Sequence, residues 1–242
     1  METRPKDTGA GNGRERSQRG QGAQLRREIV AAVQHLLAEW GSADKLTMRA
    51  VAKEVGISAP SIYLHFADKT ELVWAALADR YDELVAQMAA AEARAGTDAR
   101  NGLRAQAHAY CLFAMNNPGH YRLMFEVRQP TVEPSRISGH PARHVSASFR
   151  AALHRCRETG YTLPLPIEQA AQTLWAALHG MVALHHSLYH DESSETLTLH
   201  LADGMVDSLV VDPSGMPSHS PTAAPETEAS RLIRGLLSPT QP

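Results

Sequence analysis

The sequence predicts an all-α protein, and three observations carry that reading. Ala and Leu dominate while aromatic residues are only 5%, which favours helices over strands. Apolar residues recur at helical spacing in one segment after another, and no stretch alternates apolar with polar. Gly and Pro stand where helices stop or start. With 242 residues, 43% of them hydrophobic, the chain can bury a sizeable core in one large domain or two modest ones.

Residues Met1 to Ala23 are rich in Gly, Arg, Gln and Ser and hold almost no large apolar side chain. Burial cannot offset their ordering entropy, so this arm is expected to be disordered. Leu25 to Trp40 then sets Leu25, Ile29, Val33, Leu36 and Leu37 on one stripe, and Gly41 ends the helix. Thr47 to Val55 is a short helix stopped by Gly56, and another short one runs from Pro60 to His65. Asp68 is a natural N-cap for a long helix to Arg94, whose stripe is Leu72, Leu77, Tyr81, Leu84 and Met88. Further helices are expected at Asp98–Asn116, Pro118–Glu126, Pro141–Thr159, Pro166–Leu188 and Ser194–Val211, with Pro118, Pro141 and Pro166 in first turns. Val127 to Gly139 reads as a loop. Asp212 to Pro242, rich in Pro, Ser and Thr, reads as a disordered tail in which Glu226 to Leu237 forms at most a transient helix.

Composition excludes several classes. Two cysteines, Cys111 and Cys156, are too few for a disulfide framework and fit reduced thiols in a cytoplasm. The amino end lacks the apolar core of a signal peptide, and no run approaches the roughly 18 apolar residues of a membrane span. No nucleophile–base pair, phosphate-binding Gly loop or paired-carboxylate motif marks an enzyme, and no cofactor is implied. The net charge of −2 is unevenly spread: five basic residues face three acidic ones up to Ala23, whereas 13 face 18 from Thr70 onward. The positive excess at the amino side suits a segment near phosphate. Arg14, Arg16, Arg19, Arg26 and Arg27 could add minor-groove or phosphate contacts.

The informative stretch runs from Leu46 to Leu72. Thr47 can cap a helix whose inward face carries Ala50, Val51 and Val55, and small Ala52 lets a second helix approach. Gly56 supplies a left-handed turn, Ile57 inserts into the core, and Ser58 can cap the next helix ahead of Pro60. Ile62 and Phe66 bury the back of that helix. The result is a helix-turn-helix. Its outward side carries Ala59, Ser61 and Leu64, with Tyr63 and His65 towards the end, both able to donate to phosphate oxygens. Lys69, beside the backbone N–H groups of the next helix, suits a phosphate, as do Thr47 and Arg49.

In this order the residues Tyr63-Leu64-His65-Phe66-Ala67-Asp68-Lys69 resemble the TetR family motif, which closes its helix-turn-helix with Tyr, a variable residue, His-Phe and then Asp-Lys. The resemblance spans about Gln24 to Asp82. It implies that Tyr63, His65 and Lys69 contact phosphates and that Ser58, Ala59, Pro60 and Ser61 approach bases. Many members carry a Lys or Arg followed by Gly where this chain has Ala59-Pro60. With no long basic side chain there for guanine, base recognition rests on Ser61, methyl contacts and DNA shape.

Trp175-Ala-Ala-Leu-His179-Gly180 is similar to the Trp…His-Gly signature of one subgroup of these regulators, as is Asn117-Pro118-Gly119-His120-Tyr121-Arg122-Leu123-Met124-Phe125. The resemblance implies an enclosed pocket for a small apolar or amphipathic effector. Tyr110, Phe113, Met115, Met124, Phe125, Phe149, Trp175 and His179 are its candidate lining. The helix from Pro166 is apolar nearly all round, and the last helix repeats Leu197, Leu201, Met205 and Leu209 every four residues. With Leu174, Leu178, Met181 and His185 they form a candidate four-helix interface between two copies, as the family's dimers do. A dimer is also what reading two half-sites requires.

The expected organisation is a disordered arm over 1–23, a helix-turn-helix DNA-binding domain over 24–82, a ligand-binding and dimerisation domain over 83–211, and a tail over 212–242. The expected partners are double-stranded operator DNA, a second copy and an unidentified effector, with no membrane. The expected function is a repressor that its ligand releases from DNA. Two other classes compete with this reading. A metalloenzyme would use the thirteen histidines, with His186 and His190 on one helical face, but no closed ligand set is visible. A helical module binding only protein would leave Tyr63 without a role in DNA affinity.

Overall fold

The computed structural model describes residues 12–128, 130–188 and 193–214, the side chains of 12–20, 188 and 193 excepted. The start of the arm, His190, and the tail with its expected Glu226–Leu237 helix lie outside these residues. The described helices are α1 (Asn12–Trp40), α2 (Met48–Val55), α3 (Ala59–Tyr63), α4 (Lys69–Arg94), α5 (Ala99–Asn116), α6 (Pro118–Tyr121), α7 (Arg143–Glu158), α8 (Ile167–Leu188) and α9 (Ser193–Leu209). Among the described residues only two isolated bridges have β geometry, Ser42 with Arg128 and Thr162 with Val211. No helix among them is long and apolar enough to cross a membrane.

The chain divides into two compact units. One comprises the chain to Leu77 with Phe125–Val132, and the other comprises Ala78–Met124 and the chain from Glu133 onward. In the first unit α1 begins at Asn12, inside the arm expected to be disordered to Ala23. Once a helix is nucleated, elongation adds a hydrogen bond per residue, and the Arg, Gln and Glu residues of the stretch favour it against the cost of Gly13, Gly20 and Gly22. Its surface is laced by Gln24 Nε2 to Glu28 Oε1 at 2.8 Å and Arg27 Nη2 to Gln24 Oε1 at 2.6 Å. Ile29, Val33, Leu36 and Leu37 are buried with Leu46, Val51, Ile62, Phe66, Leu72 and Leu77. Gln34 Nε2 donates to Ala76 O at 2.8 Å, pinning α1 to the start of α4. Ala43 N donates to Arg128 O at 3.0 Å, which ties the Phe125–Val132 segment to the turn after α1.

The second unit is a helical bundle in which α5 packs on α7, α8 and α9. Asp98 caps α5 by accepting from Asn101 N at 2.7 Å. The expected helix over Pro118–Glu126 is instead the short α6 followed by a π turn, Arg122–Glu126. The expected loop over Val127–Gly139 holds a 3-10 turn, Pro134–Gly139. The last helix stops at Leu209, short of the expected Val211, because Val211 exchanges two 2.9 Å hydrogen bonds with Thr162.

An ionic cluster joins α5 to α9 across the apolar bundle. Arg100, 4% exposed, and Arg104 both reach Asp207 Oδ1, at 2.7 and 2.6 Å. Arg104 Nε lies 3.1 Å from Asp203, which also meets His108 Nε2 at 2.7 Å. Two guanidiniums inside a bundle are tolerable only while these carboxylates are present. Asp207→Ala is therefore expected to lower the unfolding free energy by about 2–3 kcal/mol, less than for a fully buried pair because Asp207 is partly exposed. Urea denaturation measures it, and a loss below about 0.5 kcal/mol would contradict the account.

Candidate functional site

Residues Met48 to Lys69 build the first site. Thr47 caps α2, its Oγ1 accepting from Ala50 N at 3.1 Å. Gly56 ends α2 at φ 78°, where a side chain would be strained. Ala52 O accepts from both Gly56 N and Ile57 N at 2.9 Å, which closes the turn. Proline in the first turn of α3 and the burial of Ile62 and Phe66 fix the second helix against the first unit's core. Ile57 and Val55 are half-buried rather than core residues, since they lie at the rim of the turn.

None of the expected DNA-contacting groups is sealed inside. Tyr63 is 56% exposed. Thr47, Arg49, Ser58 and Pro60 are exposed, and Ala59, Ser61, His65 and Lys69 are half-buried. Two local expectations are corrected. Ser58 stands at the N-cap of α3 but makes no cap bond; its Oγ pairs with Ser61 Oγ at 2.8 Å. The start of α4 is also less open to phosphate than expected. Asp68 Oδ1 takes Glu71 N at 2.8 Å, and Glu71 Oε2 takes Ala67 N at 2.7 Å, a reciprocal cap that places two carboxylates there. Lys69 Nζ is 3.4 Å from Asp44 O, which holds the ammonium near the turn before α2.

Sequence reasoning missed how α1 supports this site. A Cβ built on Gly22 would lie 3.9 Å from the His65 ring, and the Arg26 guanidinium sits 4.8 Å over the Phe66 ring. Arg26 and Arg27 are exposed. The basic composition was visible; its helical continuation to this face was not.

The candidate effector residues of the second unit are mostly core. Tyr110, Phe113, Met115, Met124 and Phe149 are buried, while Trp175 and His179 are half-buried. Trp175 Nε1 donates to Tyr110 Oη at 3.2 Å, and Tyr110 and Phe149 pack at 6.3 Å between ring centres. Burial pushes the Tyr110 hydroxyl well above its ordinary pKa, so it stays neutral. Tyr121, absent from the expected lining, lies at the centre of the polar part. Its hydroxyl is 2.9 Å from His179 Nδ1, and its ring is stacked on His179 and tilted against His186. Its place beside His120 in the sequence was the available signal. Phe125, half-buried, belongs to the first unit and is not grouped with these residues. Open clefts of about 360 and 180 Å³ lie around Asp98, Thr159 and Thr97, and no expected lining residue borders either. Among the described residues, no three His, Cys, Asp or Glu side chains are grouped to hold a metal.

The candidate interface residues separate into two sets. Leu174, Leu178, Leu197 and Leu209 are buried inside the chain's own bundle, which leaves little of them to meet a partner. An apolar α8 serves two faces, and sequence alone did not say which residue faced inward. Leu201 is 37% exposed and Met181, His185 and Met205 are half-buried; Leu184, at 42%, joins them.

An exposed aromatic hydroxyl, an imidazole and an ammonium on a helix-turn-helix, with an all-helical second unit, define a DNA-binding regulator. Residues 29–76 match the family described as bacterial regulatory proteins, tetR family, and residues 103–209 match the tetracyclin repressor-like C-terminal domain. The chain belongs to the tetR family of DNA-binding transcriptional regulators, which are not enzymes. The HTH-type transcriptional activator FasR of Mycolicibacterium smegmatis is 34% identical over 116 residues, 48% of each chain. The match thus spans about half the length of that curated relative. A TetR family transcription regulator from Marinobacter aquaeolei VT8 has the same fold, with a TM-score of 0.58 and 19% identity over 81% of this chain and 100% of that one. So does the transcriptional regulator FadR from Bacillus subtilis in complex with stearoyl-CoA, at 0.58 and 16% over 79% and 99%.

The two faces of α3 differ in what they hold up. Tyr63→Ala is expected to change the unfolding free energy by less than about 0.5 kcal/mol. Ile62→Ala should lower it by about 2–5 kcal/mol, because Ile62 is fully buried. Urea titration of both variants checks the contrast.

Proposed function

We propose that this chain is a repressor that binds operator DNA as a homodimer and is released by a small apolar or amphipathic ligand. The observation that carries the DNA half is the exposed Tyr63 hydroxyl on a helix anchored through Ile62. In this reading Thr47, Arg49, Tyr63, His65 and Lys69 hold phosphates, and Ser58 to Ser61 face the bases. The ligand half is supported by the apolar group around Tyr110, Phe149 and Trp175 with Tyr121 and His179 as its polar handle. A long-chain acyl thioester is the ligand class we infer, since the FadR of like fold is known in complex with stearoyl-CoA. In this reading a ligand would select a conformation in which these side chains separate.

The test is an electrophoretic shift on the DNA upstream of the chain's own gene, with and without stearoyl-CoA. We expect the ligand to weaken binding at least tenfold, and Tyr63→Ala to weaken it similarly without ligand. Unchanged affinity with ligand would reject induction, and retention by the Tyr63 variant would reject the phosphate contact. One observation favours a second reading of opposite sign: FasR is an activator. In that reading the DNA-bound chain would raise transcription from its operator, which a reporter assay distinguishes from repression.

The homodimer is supported by Leu184 on α8 and by Leu201 and Met205 one turn apart on α9. Beside them Gly180 and Gly204 have open space around their Cα positions. The double variant Leu184→Glu, Leu201→Glu should sediment as a monomer at micromolar concentration and remain folded. A dimer of unchanged affinity would place the interface elsewhere.

A further inference from the structure

We propose that the base-reading surface of this chain is hydrophobic, with Pro60 and Leu64 burying thymine C5-methyl groups in the major groove and thereby setting specificity. This rests on the DNA-binding reading above and deepens it. From Ile57 to Ala67 the chain has no charged residue, and neither Asn nor Gln. The bidentate readers of guanine and adenine are therefore missing from the helix that enters the groove. Ser58 and Ser61 bond each other at 2.8 Å, so one of their two hydroxyl protons is already committed. What remains is apolar. Pro60, Tyr63 and Leu64 stand at i, i+3 and i+4, opposite the fully buried Ile62. Leu64 is 84% exposed, the most exposed large apolar side chain among the described residues. It forfeits the benefit of burial unless a partner covers it. On the major-groove edges of the base pairs, the thymine methyl is the only apolar group. The hydroxyl of Tyr63, on the same face, would hold a neighbouring phosphate and keep Leu64 within the groove.

Selection from a random duplex library with the full chain would first yield a preferred duplex. Its affinity is then compared with that of the same duplex made with deoxyuridine in place of thymidine, which removes only the C5 methyls. Loss of each contacted methyl should weaken binding about fourfold, giving more than tenfold across two half-sites. Leu64→Ala and Pro60→Ala should bind the thymidine duplex more weakly and show a smaller loss on deoxyuridine substitution. Because Leu64 is exposed, the first variant keeps the fold, and an unchanged thermal midpoint verifies this. Equal affinity of the unaltered chain for both duplexes overturns the proposal. An equal loss in the unaltered chain and both variants also overturns it, because the methyls would then be read elsewhere or act through duplex shape. A chain that enriches no sequence at all would instead overturn the DNA reading itself.

Discussion

A helix of five residues does not persist in water, because nucleation fixes several residues for one or two hydrogen bonds. The reading helix α3 therefore exists only while Ile62 and Phe66 stay buried against the first unit's core. Burial of two such side chains is worth about 3–6 kcal/mol, enough to hold so short an element. The same anchoring dictates what the rest of the helix is free to do. With Ile62 turned inward, Pro60, Tyr63 and Leu64 are left in solvent whatever their chemistry. The turn before it is equally constrained: Gly56 reverses the chain at positive φ, and Ala52 O takes two N–H groups at once.

The second unit solves a different problem. Its longer helices are packed by ordinary apolar stripes, and α5 lies against α7, α8 and α9. Apolar stripes alone would tolerate sliding, and the Arg100–Asp207 and Arg104–Asp203 contacts oppose it by making one register of α5 on α9 far better satisfied than others. The buried thiols of Cys111 and Cys156 are pushed up to about 12 by desolvation, so they stay neutral and act as small apolar side chains. Tyr121, between His179 and His186, is the polar exception facing the apolar group. If the proposed effector enters here, the buried Tyr121 and the half-buried imidazoles could separate around an amphipathic guest and bond it instead.

The family match says that DNA is bound, and the side chains of α3 support one proposal for how. A long basic side chain on the reading helix can pair with guanine; Ala59-Pro60 offers none. In the proposed reading, affinity would be divided between phosphate holders around α3 and a hydrophobic surface at its tip. The basic helix α1, whose Arg26 lies over Phe66, braces that arrangement from behind.

Much of this was legible in the sequence. The caps Thr47 and Asp68, the stop at Gly56, and the stripes of α1 and α4 are local or periodic properties, and such properties are written in neighbouring residues. The ordered string ending in Asp68-Lys69 carried the family for the same reason. Three things were not legible. Helicity of the arm from Asn12 depends on an established helix to extend, which composition does not report. The Ser58–Ser61 bond replaced a cap because two hydroxyls happened to lie within 2.8 Å. The division of α8 and α9 into inward Leu174, Leu178, Leu197 and Leu209 and outward Leu184, Leu201 and Met205 was decided only by packing. Periodicity tells which residues share a face; when a helix is apolar on more than one face, only the neighbours it meets in three dimensions decide which face is the inside.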